Sequence, residues 1–268
     1  MQKNDFISTR LTKGEINHYH FKHLELYVYK TNDPMNDITL ILKKDKRIVV
    51  IEPPCFTENL VELEQYLHTL DARTEGLVLA YHMTGAHFMK EAKRYSTRNA
   101  EEFGTYGPGK AMVNDFSKTF GSAFDSSINK VTDYIDRACV SIAGIEMNIE
   151  MTHEAFDIEI PEINLKYMHL LGHDVHSIII SKSRIDTEIT KLTGCIKKGY
   201  DLICSSHYPP EDTSDVRVKI GYLKKLKSAV AAAKTSEEFI QTMKKEFPNY
   251  GGDHYLEMTA HILFGKPA

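Results

Sequence analysis

The sequence predicts one layered α/β domain, and two observations support that prediction. The first eighty residues read as two apolar strands, a helix and a third apolar strand, an order typical of layered α/β domains. The chain has 268 residues, 42 % of them hydrophobic, which suffices for one large buried core. We therefore expect a single soluble domain with a modest extension.

The first elements follow from residue pattern. The apolar runs Ile38–Leu42 and Arg47–Ile51, separated by the polar Lys43–Lys46, predict a β-hairpin. Thr57 is a candidate cap for the helix that follows, and Leu77–Tyr81 reads as a buried strand. The buried stripe of that helix is predicted from leucines at helical spacing: Leu60, Leu63, Leu67 and Leu70.

The middle of the chain is less regular. Glycines and a proline between residues 95 and 135 predict a loop-rich stretch with a short helix. Beyond it, Ile163–Leu171, Ser177–Ile180 and Asp201–Cys204 read as strands.

The C-terminal section is predicted to be largely helical. Ile185–Lys198 and Val216–Val230 carry apolar residues at helical spacing. Thr235 with Glu238 predicts a capping box for a third helix, and Asp253 a cap for a fourth that ends near residue 264.

Charge and cysteine content exclude several classes of function. The net charge of −4 does not favour binding to nucleic acid or to an anionic membrane. No apolar run approaches the length of a membrane span, and the N-terminus has no apolar signal-peptide core. The four cysteines form no CxxC pair, so we expect reduced thiols in a cytoplasmic protein. The expected partner is a small-molecule ligand or substrate, and the oligomeric state stays open.

Histidines gather at predicted strand ends, where ligand sites of layered α/β folds lie. His82 follows Leu77–Tyr81, His173 follows Ile163–Leu171 and His207 follows Asp201–Cys204. His87 lies five residues after His82, and imidazole is the commonest protein ligand for zinc. These four side chains are candidate metal ligands, although a single strand-end histidine is more often an ordinary surface residue.

A second histidine cluster lies near the N-terminus. Strand alternation would place His18 and His20 on one face, which allows a two-histidine metal clamp; His23 follows nearby. Exposed strand residues are the alternative interpretation and the favoured one. Four further histidines read as ordinary surface residues: His68, His153, His254 and His261.

The first half of the chain resembles the metallo-β-lactamase superfamily. Members of that superfamily have a hairpin that ends in aspartate, a helix, and a strand that runs into an H-x-H-x-D-H motif. Ile38–Ile51 looks like the hairpin, with Glu52 at the aspartate position. His82 and His87 match the first and last histidines of the motif, whereas Thr84 and Ala86 replace the middle histidine and the aspartate.

Later segments extend the resemblance. Leu171–Ser177 resembles the family loop G-H-T-P-G-S with His173 as ligand, and Ser205–Pro209 resembles a late G-H-x-P loop with His207 as ligand. The resemblance covers about residues 20 to 264. One hydrolase branch has further C-terminal matches: Asp215, Tyr222-Leu223, Glu237-Glu238-Phe239 and Phe247-Pro248-Asn249-Tyr250.

The resemblance implies a four-layer αββα sandwich, with a core over about residues 15–232 and a helical extension over 233–268. It also implies two metal sites that are both incomplete. His82 and His173 remain of the first site, and His87 and His207 of the second. The usual bridging aspartate is missing, with Asp186 as a weak substitute.

Two functions remain open from the sequence. One is a zinc-dependent hydrolase, with iron or manganese as alternatives, that acts on a small ester, thioester, lactone or phosphoester. The other is a non-catalytic descendant that binds a ligand or partner, with metal structural or absent. A site closed by four histidines would leave no position for water, which is the pattern of a structural zinc. No residue is assigned as catalytic, but Asp174 and His176 are weak candidates for a replacement acid–base pair.

Overall fold

A computed structural model describes residues 2–169 and 171–265. Contacts between residues divide the chain into two compact units. The first unit contains residues 2–169 and 201–210, and the second contains 171–200 and 211–265. The second unit therefore contains an internal segment as well as the C-terminal helices. The single domain with an extension from residue 233 stays a prediction, and its residues 1, 170 and 266–268 lie outside the described part.

The first unit contains an eight-stranded mixed sheet in which the strands lie in sequence order. Neighbours are antiparallel from the first strand to the fifth and parallel from the fifth to the eighth. The predicted hairpin is confirmed as β4 and β5, which pair from Leu40↔Ile51 to Lys44↔Arg47. The strands are β1 (Ile7–Arg10), β2 (Glu15–His20), β3 (Glu25–Lys30), β4 (Ile38–Lys44), β5 (Arg47–Ile51), β6 (Arg73–Val78), β7 (Lys93–Ser96) and β8 (Asp133–Tyr134).

A second sheet of five strands also belongs to the first unit, with the order β13-β12-β11-β10-β9. The edge pair of β13 and β12 is parallel, and the other pairs are antiparallel. Its strands are β9 (Cys139–Ile142), β10 (Ile145–Met151), β11 (Phe156–Ile160), β12 (Leu165–Met168) and β13 (Leu202–Ser205).

One buried apolar cluster contains side chains from both sheets. The hairpin of β4 and β5 contributes Leu40 and Val49, and the second sheet contributes Ile158 and Leu165, all fully buried. A shared core of this kind is typical of two sheets packed as a sandwich. The predicted α/β class is therefore confirmed in the first unit.

The first unit contains three α-helices in its described residues, and one of them is longer than the sequence pattern predicted. The short helix predicted within residues 95–135 is present but longer than expected, since Pro108–Phe120 form a helix of 13 residues with no fully buried side chain. Thr57 does not cap the first helix, because its hydroxyl donates to the carbonyl of Ser122 instead. The helices are α1 (Thr57–His68), α2 (Arg98–Glu101) and α3 (Pro108–Phe120), with a π-helical turn at Glu102–Tyr106 and 3₁₀ turns at Gly121–Ala123 and Pro161–Ile163.

The second unit consists mainly of four helices, as the C-terminal pattern predicted. The Thr235 side chain accepts a bond from the Glu238 backbone, which confirms Thr235 as the cap. The predicted capping box is incomplete, because the Glu238 carboxylate accepts from the Lys234 backbone instead. Asp253 is the first helical residue rather than the cap, which is Gly252. The helices are α4 (Lys182–Lys198), α5 (Thr213–Ala232), α6 (Ser236–Glu246) and α7 (Asp253–Phe264).

Two strand predictions need correction. Ser177–Ile180 form no strand, because the Ser177 and Ile179 backbones bond to the side chains of Tyr222 and Thr259 rather than to a neighbouring strand. The strand predicted at Ile163–Leu171 is shorter than expected, since β12 ends at Met168. Residue 170 of that prediction lies outside the described residues.

Candidate metal centre

Three histidines of the first unit meet at the ends of strands. His82 lies four residues beyond the end of β6, His169 follows β12 directly, and His207 follows β13 after Ser206. One ligand nitrogen from each ring lies within 4.8 Å of the other two. The centroid of the His82 ring is 5.2 Å from the centroid of each of the other two rings, and the centroids of His169 and His207 are 5.5 Å apart. This spacing allows three imidazoles to share one metal ion.

The parallel pair of β12 and β13 brings two of these rings together. Met168 is in register with Ser205, so the residues that follow leave the sheet side by side. The Ser206 backbone N–H donates to the His169 carbonyl at 3.0 Å, which continues the pairing beyond the strands. His169 and His207 are therefore fixed by the register of the sheet rather than by a mobile loop.

Glu52 orients His82. Its buried carboxylate accepts bonds from the backbone N–H groups of Ala80, Tyr81 and His82, and lies against the His82 Nδ1. Glu52 has a left-handed backbone conformation, with φ of 55°, which is unfavourable for a residue with a Cβ. These bonds stabilise that conformation and fix the turn that carries His82.

Asp37 occupies the equivalent position behind His207. Its Oδ1 lies 3.1 Å from the His207 Nδ1, and its other oxygen accepts a bond from the Cys55 thiol at 3.1 Å. The Asp37 carbonyl accepts bonds from both the backbone and the hydroxyl of Thr31, which fixes the loop before β4. Asp37 therefore limits the movement of the His207 ring, and Cys55 and Thr31 in turn fix Asp37.

Tyr81 supports the third ring by stacking. The planes of Tyr81 and His169 lie 12° from parallel with centroids 4.3 Å apart. The Tyr81 hydroxyl donates to the fully buried Asp157 at 2.6 Å, which anchors the aromatic ring from behind. Each histidine of the group therefore has one neighbouring residue that limits its rotation.

The carboxylates set the charge of the group. Burial disfavours protonation of His82, but the adjacent Glu52 outweighs burial and raises the pKa of the ring to about 8. Burial alone would raise the pKa of Asp37, yet the His207 ring holds that pKa below its usual value. Two carboxylates behind three imidazoles favour a cation at this position.

Of the four predicted ligands, the structure brings His82 and His207 together. His87 lies outside this group in the same unit: its ring is 66 % exposed, and its Nδ1 lies 2.9 Å from Asp125. In the segment between His82 and His87, the Thr84 carbonyl accepts a bond from the Asn129 amide, and the Ala86 N–H donates to Ser127. The residues at the degraded motif positions are thus tied to a neighbouring loop.

His173 belongs to the second unit. Its Nδ1 lies 2.7 Å from Glu211, and the same carboxylate accepts bonds from the backbones of Gly172 and His173. Lys219 donates to the carbonyls of Gly172 and Val175 at 2.9 and 2.5 Å, and burial lowers the pKa of this lysine to about 8. The loop of His173 is therefore rigidly held, and its predicted role as a ligand stays a prediction.

The weaker candidates of the second unit have ordinary local partners. His176 is buried, its Nδ1 lies 3.1 Å from the Tyr222 hydroxyl, and burial lowers the pKa of its ring. Asp174 is exposed, and its carbonyl accepts a bond from Gly251. Asp186 pairs with Lys227 at 2.6 and 2.8 Å. These contacts give the side chains of His176 and Asp186 a structural explanation within the unit, whereas the contact of Asp174 is made by its backbone.

Sequence reasoning missed two important residues of the centre. His169 was hidden inside the strand predicted at Ile163–Leu171, although it is the first residue after the observed strand. Asp37 stands directly before the hairpin and resembled an ordinary loop acid. An available signal was the helix predicted between two strands that each end near a histidine, since a helical crossover favours parallel pairing.

Comparison with known proteins shows the fold. No family model matches the chain, and no curated protein matches its sequence. Among solved structures, a double mutant of a sec-alkyl sulfatase superposes with a TM-score of 0.64 at 12 % identity. That match covers 92 % of this chain and 49 % of the sulfatase, so this chain spans about half the length of that relative.

Two further structures, a metallo-β-lactamase family protein and a metallo-β-lactamase, match over more than nine tenths of their own length. One from Thermus thermophilus superposes with a TM-score of 0.59 at 12 % identity, covering 91 % of this chain and 93 % of its own. One from Erythrobacter litoralis has a TM-score of 0.57 at 9 % identity, covering 81 % and 99 %. The chain has the metallo-β-lactamase fold, as its motifs predicted. Among the residues that the structure describes, no helix is long and apolar enough to span a membrane.

Proposed function

We propose that His82, His169 and His207 hold one divalent metal ion, and that this ion serves a hydrolase. The observation that carries the proposal is the arrangement behind the rings. Histidines that bind a metal through one nitrogen commonly place the other against a carboxylate. Glu52 and Asp37 occupy those positions behind His82 and His207, which leaves the Nε2 atoms of both rings for the metal.

The donor set fits zinc, with iron or manganese as alternatives. Three imidazoles with one position left over is the ligand pattern of catalytic rather than structural zinc. Zinc bound there would supply a water of lowered pKa and would polarise an ester or phosphoryl oxygen. The chain supplies orientation: Glu52 and Asp37 hold two rings, and Tyr81 limits rotation of the third.

The proposed substrates are small esters, thioesters, lactones or phosphoesters. The fold is shared with a sec-alkyl sulfatase, so alkyl sulfates belong in the same test. The net charge of −4 does not favour a polyanionic substrate. A single metal ion would act without the bridging acid of the usual two-metal arrangement.

One observation favours a second candidate, a non-catalytic ligand-binding protein of the same fold. Ala86 stands where the family has the aspartate that handles the proton of the water, and its neighbour His87 is turned to Asp125. In that case the three histidines hold a structural metal or none. The experiment below separates the two functions.

The test measures zinc binding and hydrolysis together. Purified protein is titrated with zinc, and a panel of the proposed ester classes is assayed with zinc or manganese added. We expect a tight equivalent of zinc and metal-dependent hydrolysis, both lost in the His82→Ala/His207→Ala variant. Zinc binding without hydrolysis of any class favours the binding protein.

A matched control removes two exposed histidines instead, His68→Ala and His254→Ala, and should bind zinc and hydrolyse as the parent does. Hydrolysis that persists unchanged in the His82→Ala/His207→Ala variant would contradict the proposed site. A parent protein that binds no zinc and gains no thermal stability from it would contradict the metal itself.

A further inference from the structure

A second group of metal-binding side chains lies on the hairpin of β2 and β3. His18 and His20 alternate onto one face of β2, and Glu25 stands directly opposite His20 in the register of the two strands. One ligand atom from each of the three side chains lies within 4.8 Å of the other two. Opposed residues of antiparallel strands lie close enough to share one ion.

We propose that His18, His20 and Glu25 form a separate site for a divalent transition metal such as zinc, copper or nickel. Two imidazoles and one carboxylate suit these ions better than calcium or magnesium, which take oxygen ligands. The site shares no residue with the three-histidine group. It therefore does not depend on the proposed hydrolase function.

The ligand side chains are partly ordered before any metal binds. The His18 ring stacks on Tyr27, with centroids 4.2 Å apart and planes 11° from parallel. The Tyr27 hydroxyl donates to Glu25, and the His18 Nε2 lies 3.2 Å from the same carboxylate. Preordered side chains lose less conformational entropy when they bind an ion.

The proposed site opens to solvent. The His18 ring is 26 % exposed. His20 is exposed, which leaves solvent access to the site.

Lys43 competes with the metal. Its Nζ lies 2.7 Å from Glu25, directly across from that residue in the pairing of β3 with β4. An incoming cation must share or displace this ammonium group. The site on the hairpin is therefore weaker than one in which no fixed cation pairs with the carboxylate ligand.

The experiment is a zinc titration by isothermal calorimetry of the full chain and its variants. We expect the hairpin variant His18→Gln/His20→Gln to lose one weak equivalent and to keep any tight equivalent. The His82→Ala/His207→Ala variant should keep the weak equivalent, so failure of the two sites is distinguishable. His23→Gln, an exposed histidine of the same hairpin, is the matched control and should change nothing.

A further variant tests the sign of the Lys43 effect. Lys43→Gln frees the Glu25 carboxylate, and the weak site should bind zinc about tenfold more tightly, within the range of neighbouring-residue effects on metal sites. A folding defect would not tighten binding. The proposal is overturned if the hairpin variant binds as many zinc equivalents as the parent, or if Lys43→Gln leaves the weak affinity unchanged.

Discussion

The two histidine groups of the first unit differ in what stands behind their ligand side chains. In the three-histidine group, buried carboxylates of Glu52 and Asp37 hold the Nδ1 atoms of two rings. On the hairpin, the carboxylate of Glu25 belongs to the ligand set itself and is paired with Lys43. One group has its supporting charges outside the ligand set, and the other uses its charge as a ligand.

This difference predicts that the two groups differ in metal affinity and in the stability that the protein loses when the carboxylate is removed. A ring held by a buried carboxylate is fixed before the metal arrives, so the ion binds to a formed site. Removal of the Glu52 carboxylate would also leave three backbone donors without an acceptor. The Glu25 carboxylate is 26 % exposed and pairs with Lys43, and a partly exposed pair of this kind contributes little to stability, because solvent screens it. The following changes test this contrast.

The largest effect on stability is expected from Glu52→Ala. The change leaves the N–H groups of Ala80, Tyr81 and His82 without their acceptor and should lower the free energy of unfolding by about 3 kcal/mol. The comparison variant Glu25→Ala should lower it by about 1 kcal/mol or less. Urea denaturation of metal-free protein measures the free energy of unfolding of both variants. Equal losses would contradict the difference proposed between the two carboxylates.

The next effect concerns affinity rather than stability. Asp37→Asn keeps the shape of the side chain but removes the charge behind His207, and should weaken zinc binding at the three-histidine group about 10- to 100-fold. Asp125→Asn is the control, since the Asp125 carboxylate lies beside His87, outside the three-histidine group. A competition assay with a zinc chelator gives both constants. Equal affinities of the two variants would show that Asp37 does not support the ring.

Two variants of Tyr81 distinguish the effect of stacking from the effect of hydrogen bonding. Tyr81→Phe removes the bond to Asp157 and should cost about 1 kcal/mol of stability, while the ring still stacks on His169 and zinc affinity stays close to that of the parent. Tyr81→Ala removes both and should weaken zinc binding as well. If both variants bind zinc like the parent, His169 needs no support from this ring.

The smallest effect is expected at His87. This ring is exposed and pairs with Asp125, so His87→Ala should change the free energy of unfolding by only about 0.5 kcal/mol and leave the number of bound zinc ions unaltered. A lost zinc equivalent would instead support the ligand role that the motif predicts for His87. Zinc titration and urea denaturation are sufficient.

Much of the fold could be predicted from local pattern. The hairpin of β4 and β5, the leucine stripe of α1 and the Thr235 cap are encoded by neighbouring residues, and all three formed. The exception is Leu70, which lies beyond the end of α1 and is only partly buried. Helix α3 was underestimated because it carries no buried residue and begins among glycines. Ser177–Ile180 could not be predicted, because distant side chains of Tyr222 and Thr259 satisfy that backbone.

The site was only partly predictable, for a physical reason. His82 and His207 follow apolar strands, so their positions could be read from one segment each. His169 depended on where β12 ends, and Asp37 on a pairing with a residue 170 positions away. Such contacts depend on sheet register, which local sequence does not specify.

Anomalous X-ray diffraction tests the central claim most directly. Crystals of the His18→Gln/His20→Gln variant grown with one equivalent of zinc would be measured on both sides of the zinc absorption edge. We predict one anomalous peak within about 2.1 Å of nitrogens of His82, His169 and His207. A peak held by His87 or by the hairpin, or no peak among these three rings, would contradict the account.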